Sequence, residues 1–413
     1  MFNKIASLLF LLIFFSCSRD LSSLQQEKKA TPVRPLSTAE QQLVQTSQNF
    51  GLKLFREVNK QDPDKNLFIS PLSVSMALGM TMNGASGETY SAMRQTLDFG
   101  ELSEDEINAA YRSLIDLLLN LDPKVIMEIA NSIWPRQDYP ILQSFLDVNK
   151  TNFDAEIRLM DYSNSDAAKE IINTWVSDKT HGKIKDILDY VPSDVIMYLI
   201  NAIYFKGTWT YQFDKEQTKL DVFYNYKQEA VDCQMMKISG DWLYYKDNSV
   251  QVIELPYGDS LFCMTMLLPA ASKSVDDLIA GLDAGALDAY LNGMSKQFGT
   301  LDLPKIKVEY KLLMNDVLTA LGMGIAFTDQ ADFSRINGFS GLLISRVIHQ
   351  TFVQVDEEGT EAAAATVVEI RETSSGPEGF TMRVDRPYVF VIRERVSGAI
   401  LFIGKIIEPQ WQN

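Results

Sequence analysis

The chain has 413 residues, 46% of them hydrophobic, and its 38 basic against 54 acidic side chains leave a net charge of −16. A chain of this length can bury a core without disulfide staples, and its acidic field repels phosphate backbones, which argues against nucleic acid as a partner. Two histidines, His181 and His349, and three cysteines, Cys17, Cys233 and Cys263, form no Cys-x-x-Cys or His-x-x-x-His pair, so the common zinc patterns are absent and no metal site is expected.

The first residues read as a destination label. Lys4 precedes the run from Ile5 to Phe15, apolar but for Ser7, which is too short to cross a bilayer core of about 30 Å but suits an export signal. Phe14-Phe15-Ser16-Cys17 resembles the lipobox of bacterial lipoproteins, in which the cysteine is lipidated and becomes the new N-terminus. Phe14 and Phe15 depart from the usual pattern, so ordinary secretion with cleavage nearby stays open. The expected organisation is a signal over residues 1–16, a polar tether over 17–38 containing Pro32 and Pro35, and one domain over 39–413. The protein is expected outside the cytoplasm, as a cell-envelope lipoprotein at the outer membrane or cell surface, or else secreted.

Within the domain, residues 39–58, 73–83, 90–97 and 104–121 carry apolar positions at helical spacing, and Ser70-Pro71 marks the start of a buried helix. Residues 198–205, 250–255, 262–268, 301–308, 352–355, 388–393 and 399–407 have strand character, with a hairpin turn at Pro256-Tyr257-Gly258-Asp259. Helices first and antiparallel strands later predict an α+β fold. Cys233 and Cys263 lie in apolar runs and read as buried free thiols.

Signals for catalysis are few. Gly258-Asp259-Ser260-Leu261 matches an esterase pattern in which the serine is the nucleophile, but it lies between two apolar strands, where Gly-Asp is turn chemistry. There is no Gly-x-Ser-x-Gly elbow, Walker loop or dinucleotide fingerprint, so an enzyme is not expected.

The segment after Val355 is unusual. Asp356-Glu357-Glu358-Gly359-Thr360-Glu361-Ala362-Ala363-Ala364-Ala365-Thr366 favours a helix by its alanines, yet at period two Thr360, Ala362, Ala364, Thr366, Val368 and Ile370 share a face without charge. Glu361, Glu369 and Arg371 fall on the other face. Such a segment need not be a strand at the outset but can enter a sheet later without steric or charge penalty.

This hinge resembles that of the serpin family, and further matches run along the domain. They include Asn66-Leu67-Phe68-Ile69-Ser70-Pro71-Leu72-Ser73, Thr180-His181-Gly182-Lys183-Ile184, Phe205-Lys206-Gly207 with Trp209, Leu303-Pro304-Lys305, Ser345-Arg346-Val347-Ile348-His349-Gln350 and Leu401-Phe402-Ile403-Gly404-Lys405. The resemblance implies a serpin fold, with helices packed around three β-sheets and an exposed reactive-centre loop. It implies a monomeric suicide-substrate inhibitor without a cofactor, which traps a protease by loop cleavage and insertion into the central sheet. By position, Glu357 to Thr366 would be the hinge, Lys305, Glu357 and Trp209 would brace the breach at its top, and Ser73, Asn201 and His349 would form the shutter network. Counting from Glu357 places the bait bond at Thr373-Ser374, suited to elastase-like or broad serine proteases. The alternative, Arg371-Glu372, would suit trypsin-like or arginine-specific cysteine proteases. A non-inhibitory carrier or chaperone on the same fold, and a lipid-anchored esterase using Ser260, are the competing readings.

Overall fold

A computed structural model describes residues 34–360 and 379–411. The expectations for Cys17, for Glu361 to Thr366 and for the bait bonds at Arg371-Glu372 and Thr373-Ser374 lie outside these residues.

In chain order the first half comprises α1 (Thr38–Gln61), β1 (Leu67–Ile69), α2 (Pro71–Met82), α3 (Gly87–Thr96), α4 (Glu104–Asn120), β2 (Val125–Pro135), α5 (Gln143–Phe153), β3 (Glu156–Ile157), α6 (Ser165–Lys179) and β4 (Met197–Thr208). It continues with β5 (Lys219–Tyr224), β6 (Ala230–Lys246), β7 (Val250–Tyr257), β8 (Phe262–Pro269), α7 (Val275–Gly281), α8 (Ala284–Gly293), β9 (Ser295–Pro304) and β10 (Ile306–Leu313). After two short α-helical turns come β11 (Ile348–Val355), β12 (Gly359–Thr360), β13 (Phe380–Arg383), β14 (Tyr388–Glu394) and β15 (Ile400–Ile406).

The helix starts follow local chemistry. Ser37 with Glu40, and Ser103 with Glu106, make reciprocal capping boxes at α1 and α4. Ser70 accepts from the Ser73 N–H while Pro71 occupies the first turn of α2, a helix buried along nearly its whole length.

One sheet runs β10-β11-β12-β4-β2-β3. The other runs β1-β15-β14-β8-β7-β6-β9-β13, with β5 also on β6. The long β6 pairs with β5 and β9 over most of its length and with β7 only at Tyr244 to Lys246, so it joins two layers of strands that would otherwise be separate sheets. Strands β8, β14 and β15 are buried throughout, while β10 alternates Ile306, Val308 and Tyr310 inward with lysines and Glu309 outward.

One expected strand is two. The 301–308 run breaks after Pro304, and β9 and β10 belong to different sheets. Lys305 N–H donates to Gln234 on β6, whereas Lys307 N–H donates to Gln410, so the chain changes partners there. The hairpin forms, but its turn is residues 258–261 rather than 256–259: Pro256 and Tyr257 pair with Cys263 and Phe262, and Gly258 at φ 51° and Ser260 at φ 69° lie in the turn between β7 and β8.

The six-stranded sheet is covered on both faces. The main core, with α1 and α2, lies on one side, and a smaller cluster under α6, including Trp134, Trp175, Ile172, Ile200 and Ala202, lies on the other. Its centre is incomplete. β4 pairs with β2 along its full length, but β4 and β11 are joined only through the two residues of β12. Below Thr360, no strand lies between β4 and β11 among the described residues.

Candidate functional site: hinge, breach and shutter

The hinge begins inside the sheet. Gly359 pairs with Thr208 and Thr360 with Gly207 on β4, while Thr360 also pairs with Val355 on β11. Thr360 is only 3% exposed, and its hydroxyl is hydrogen-bonded to that of Tyr257. The sequence pattern counts Thr360 among the side chains able to enter a sheet later, and the structure places it in the sheet already. Gly359 has φ 155°, and a Cβ there would lie 2.1 Å from the Gly207 carbonyl oxygen. Glycine is required by this close approach of two backbones as well as by hinge freedom. Gly359→Ala is expected to push β12 off β4 and cost about 1–3 kcal/mol of native stability, measured as the denaturant midpoint.

The expected breach residues come together. Trp209 donates its backbone N–H to Glu358 and its indole N–H to Asp356, both at 2.9 Å, and stacks on Tyr257 with centroids 4.4 Å apart. Lys305 Nζ meets Glu357 Oε2 at 2.9 Å and lies 4.1 Å over the Trp411 ring. Burial alone would push the Glu357 carboxyl up. Hydrogen bonds from Lys305, from its own N–H and from Thr218 outweigh that effect and hold it below the usual carboxylate range.

Sequence reasoning missed Tyr257, Thr218 and Lys215, whose ammonium reaches Glu358 at 2.5 Å. Thr218 and Lys215 lie well over a hundred residues from the hinge, and nothing local marks them. The sequence shows Tyr257 only as part of the expected hairpin turn, whereas it ends β7.

The shutter differs from expectation. Ser73, Asn201 and His349 line one cavity of about 400 Å³ between β4, β11 and α2, but they are not hydrogen-bonded to one another. His349 Nε2 accepts the backbone N–H of Ser70 at 3.0 Å, and Ser70 Oγ donates to the Leu401 carbonyl at 2.7 Å. Ser70 replaces Ser73 in this role because it is the N-cap of α2, where an N–H is free of the helix ladder. Asn201 donates instead to Asn131, at 2.7 Å, and its Oδ1 has no partner.

Burial pushes His349 down to about 4 from its ordinary 6.5. Above pH 6.5 the group is neutral in both states and does not affect stability. As pH falls, the unfolded chain takes up the proton first, so the native state loses about 3 kcal/mol between 6.5 and about 4 and nothing further below. His349→Gln is expected to flatten this acid limb of the denaturation midpoint, and an unchanged limb would assign it to other groups.

The remaining candidates are structural. The hydroxyl of Ser260 contacts that of Thr210 at 3.4 Å, and neither His349, bonded to Ser70, nor His181, bonded to Glu128, is hydrogen-bonded to it. Ser260→Ala is expected to leave inhibition and stability within about 0.5 kcal/mol of wild type. Cys233 and Cys263 are free and buried, and burial pushes their thiols up to about 11 and about 12.

Residues 45–409 match the family model described as serpin (serine protease inhibitor). Iripin-2 of Ixodes ricinus is 34% identical over 373 residues, covering 89% of this chain and 94% of its own. Intracellular coagulation inhibitor 2 of Tachypleus tridentatus is 33% identical, covering 87% and 89%. Among solved structures, native Tengpin, a thermophilic serpin, aligns at 31% identity and a TM-score of 0.80 over 92% of this chain and 97% of its own. Human thyroxine-binding globulin complexed with its hormone aligns at 27% and 0.83 over 90% and 100%. The chain belongs to the serpin family and has the serpin fold.

Proposed function

We propose that the protein is a suicide-substrate inhibitor of extracellular serine endopeptidases, with cysteine endopeptidases as a further target class. The observation that carries this reading is the hinge strand β12, seated at the head of a gap between β4 and β11 whose facing edges, among the described residues, have no strand between them below it. The protease serine attacks the bait carbonyl, the peptide C-terminal to the bond leaves, and an acyl-enzyme remains. The freed segment beyond Thr360, as far as Ile370, then zips into the gap. It forms on the order of ten backbone hydrogen bonds at about 1 kcal/mol each. That gain rivals the whole stability of an ordinary domain, about 5–15 kcal/mol, so trapping is effectively irreversible. The chemistry belongs to the protease, and the inhibitor acts without catalytic groups or a cofactor.

Thr373-Ser374 is the favoured bait bond, with Arg371-Glu372 as the alternative. The reading includes export from a bacterial cytoplasm and a lipid on Cys17 that tethers a monomeric domain to the cell envelope. None of the described helices is long and apolar enough to cross a membrane.

Incubation with elastase, trypsin and subtilisin, followed by denaturing electrophoresis and mass spectrometry of the released peptide, tests this directly. A complex that survives denaturation supports it, and a peptide beginning at Ser374 or at Glu372 identifies the bond. Clean cleavage without a complex would sink it.

A further inference from the structure

Two strand registers fix where each residue of an entering strand would lie. Thr360 pairs with Gly207 on β4 and with Val355 on β11, and both pairings are antiparallel. β4 keeps an unbroken register with β2 as far as Met197, and β11 keeps one with β10 from Val355 back to Ile348. A strand that continues from Thr360 without a bulge therefore moves one residue down β4 and one residue back along β11 at each step. Carried to Glu369, the first register gives Tyr198 and the second gives Arg346.

These two residues are already joined across the gap. Arg346 lies just before β11, and its Nη2 donates to the Tyr198 hydroxyl at 3.0 Å and to the Tyr190 carbonyl at 3.2 Å. Its guanidinium also sits 4.3 Å over the Tyr190 ring. Burial pushes the Tyr198 phenol up from its ordinary 10, so it accepts as a neutral hydroxyl. Guanidinium groups make their strongest hydrogen bonds to carboxylates, and here both acceptors are uncharged. The faces agree as well. Thr360 faces the main core through Tyr257, so at period two Glu369 faces the α6 side, where Tyr198 packs on Tyr162.

We propose that Arg346 is the receiving site for the Glu369 carboxylate: as the segment enters, the guanidinium gives up the Tyr198 hydroxyl and takes the carboxylate, and this pair fastens the far end of the inserted strand. The inference rests on the insertion reading above. Glu369 precedes both candidate bait bonds, so after either cleavage it stays on the acyl-bearing segment, close to its end. The bond lost to a neutral phenol is replaced by a charge-assisted one, roughly twice as strong. Arg346 is thus a positioning residue that favours full entry over a strand that stops short of Tyr198.

The test anneals synthetic peptides of residues 361–371, acetylated and amidated at their ends, into the intact protein and follows their release on native gels. One peptide carries Glu369 and the other Glu369→Gln. Wild-type protein is expected to hold the first about three- to tenfold longer, the margin of a charged over a neutral hydrogen bond. Arg346→Met keeps the apolar stem and is expected to release both at the same rate, while Arg346→Glu is expected to prefer a Glu369→Lys peptide. Tyr198→Phe removes only the hydroxyl that must be given up. It is expected to retain the preference, and it carries the test if Arg346→Met does not fold. Equal release of the two peptides from wild type, or a preference that survives in Arg346→Met, overturns the pair and leaves insertion standing. A preference lost in Tyr198→Phe puts the carboxylate on the phenol and overturns the pair too. A wild-type protein that takes up neither peptide overturns insertion, and the pair with it.

Discussion

In Thr360→Arg, a target protease is expected to cleave the loop at near wild-type speed and depart, leaving no complex that survives denaturation. Thr360 is 3% exposed between Val355 and Gly207, and its hydroxyl is hydrogen-bonded to that of the fully buried Tyr257. A guanidinium there would be buried in the sheet, and an unpaired buried charge costs several kcal/mol. Insertion competes with deacylation, and each 1.36 kcal/mol against it slows it about tenfold. The moles of inhibitor consumed per mole of protease should rise more than about tenfold, read by titration against a fixed amount of enzyme. Because Thr360 already lies in the sheet, the same variant should also expel β12 from the uncleaved protein, leaving the Tyr257 hydroxyl unpaired and lowering the native midpoint. Persistent trapping by this variant would refute the insertion mechanism.

Glu357→Lys should lower native stability by about 3–5 kcal/mol, the cost of leaving a buried charge opposite a like one. Lys305 and Glu357 have side chains 15% and 7% exposed, so solvent screens little of the repulsion between two ammonium groups. The damage falls at the head of the gap. The Glu357 carbonyl accepts the Phe213 N–H and the next carbonyl accepts that of Trp209, so a displaced residue 357 loosens the turn that feeds β12. Equilibrium denaturation measures the loss, and the exchanged pair Lys305→Glu with Glu357→Lys should recover at least half of it. No recovery would mean that shape, not charge, governs the site. The wild-type pair carries a pH signature as well. The Glu357 carboxyl is held below its ordinary 4.5, so its contribution is complete above that pH and is lost as pH falls through the folded value. This limb begins at 4.5, at the foot of the one that His349 produces between 6.5 and about 4.

Much of the site was legible because its signals are local or periodic. The N-cap at Ser70-Pro71 located α2, and the small uncharged face from Thr360 to Ile370 identified a segment able to become a strand. Family resemblance then paired Lys305 with Glu357, which spacing alone could not have done, since 52 positions separate them in the chain. The errors occurred where partners are chosen in three dimensions. Ser73 matched the pattern, yet the free N–H that meets His349 belongs to Ser70, one turn earlier, because α2 presents its N-terminus to β11. The 301–308 run is uniformly strand-like, and only the separate partners of β9 and β10 divide it at Pro304.

Length, acidity and scarce histidine and cysteine by themselves argued against nucleic acid as a partner and against the common zinc patterns, and left the number of domains open. The sequence alone also determined which segment could change state, because side-chain volume and charge at alternate positions are properties of consecutive residues. Tertiary structure decided that Gly359 and Thr360 are already paired in the sheet, while among the described residues β4 and β11 stay unjoined below them. Which strand edges remain unpaired depends on the order of strands in the sheet, and that order brings together segments from distant parts of the chain.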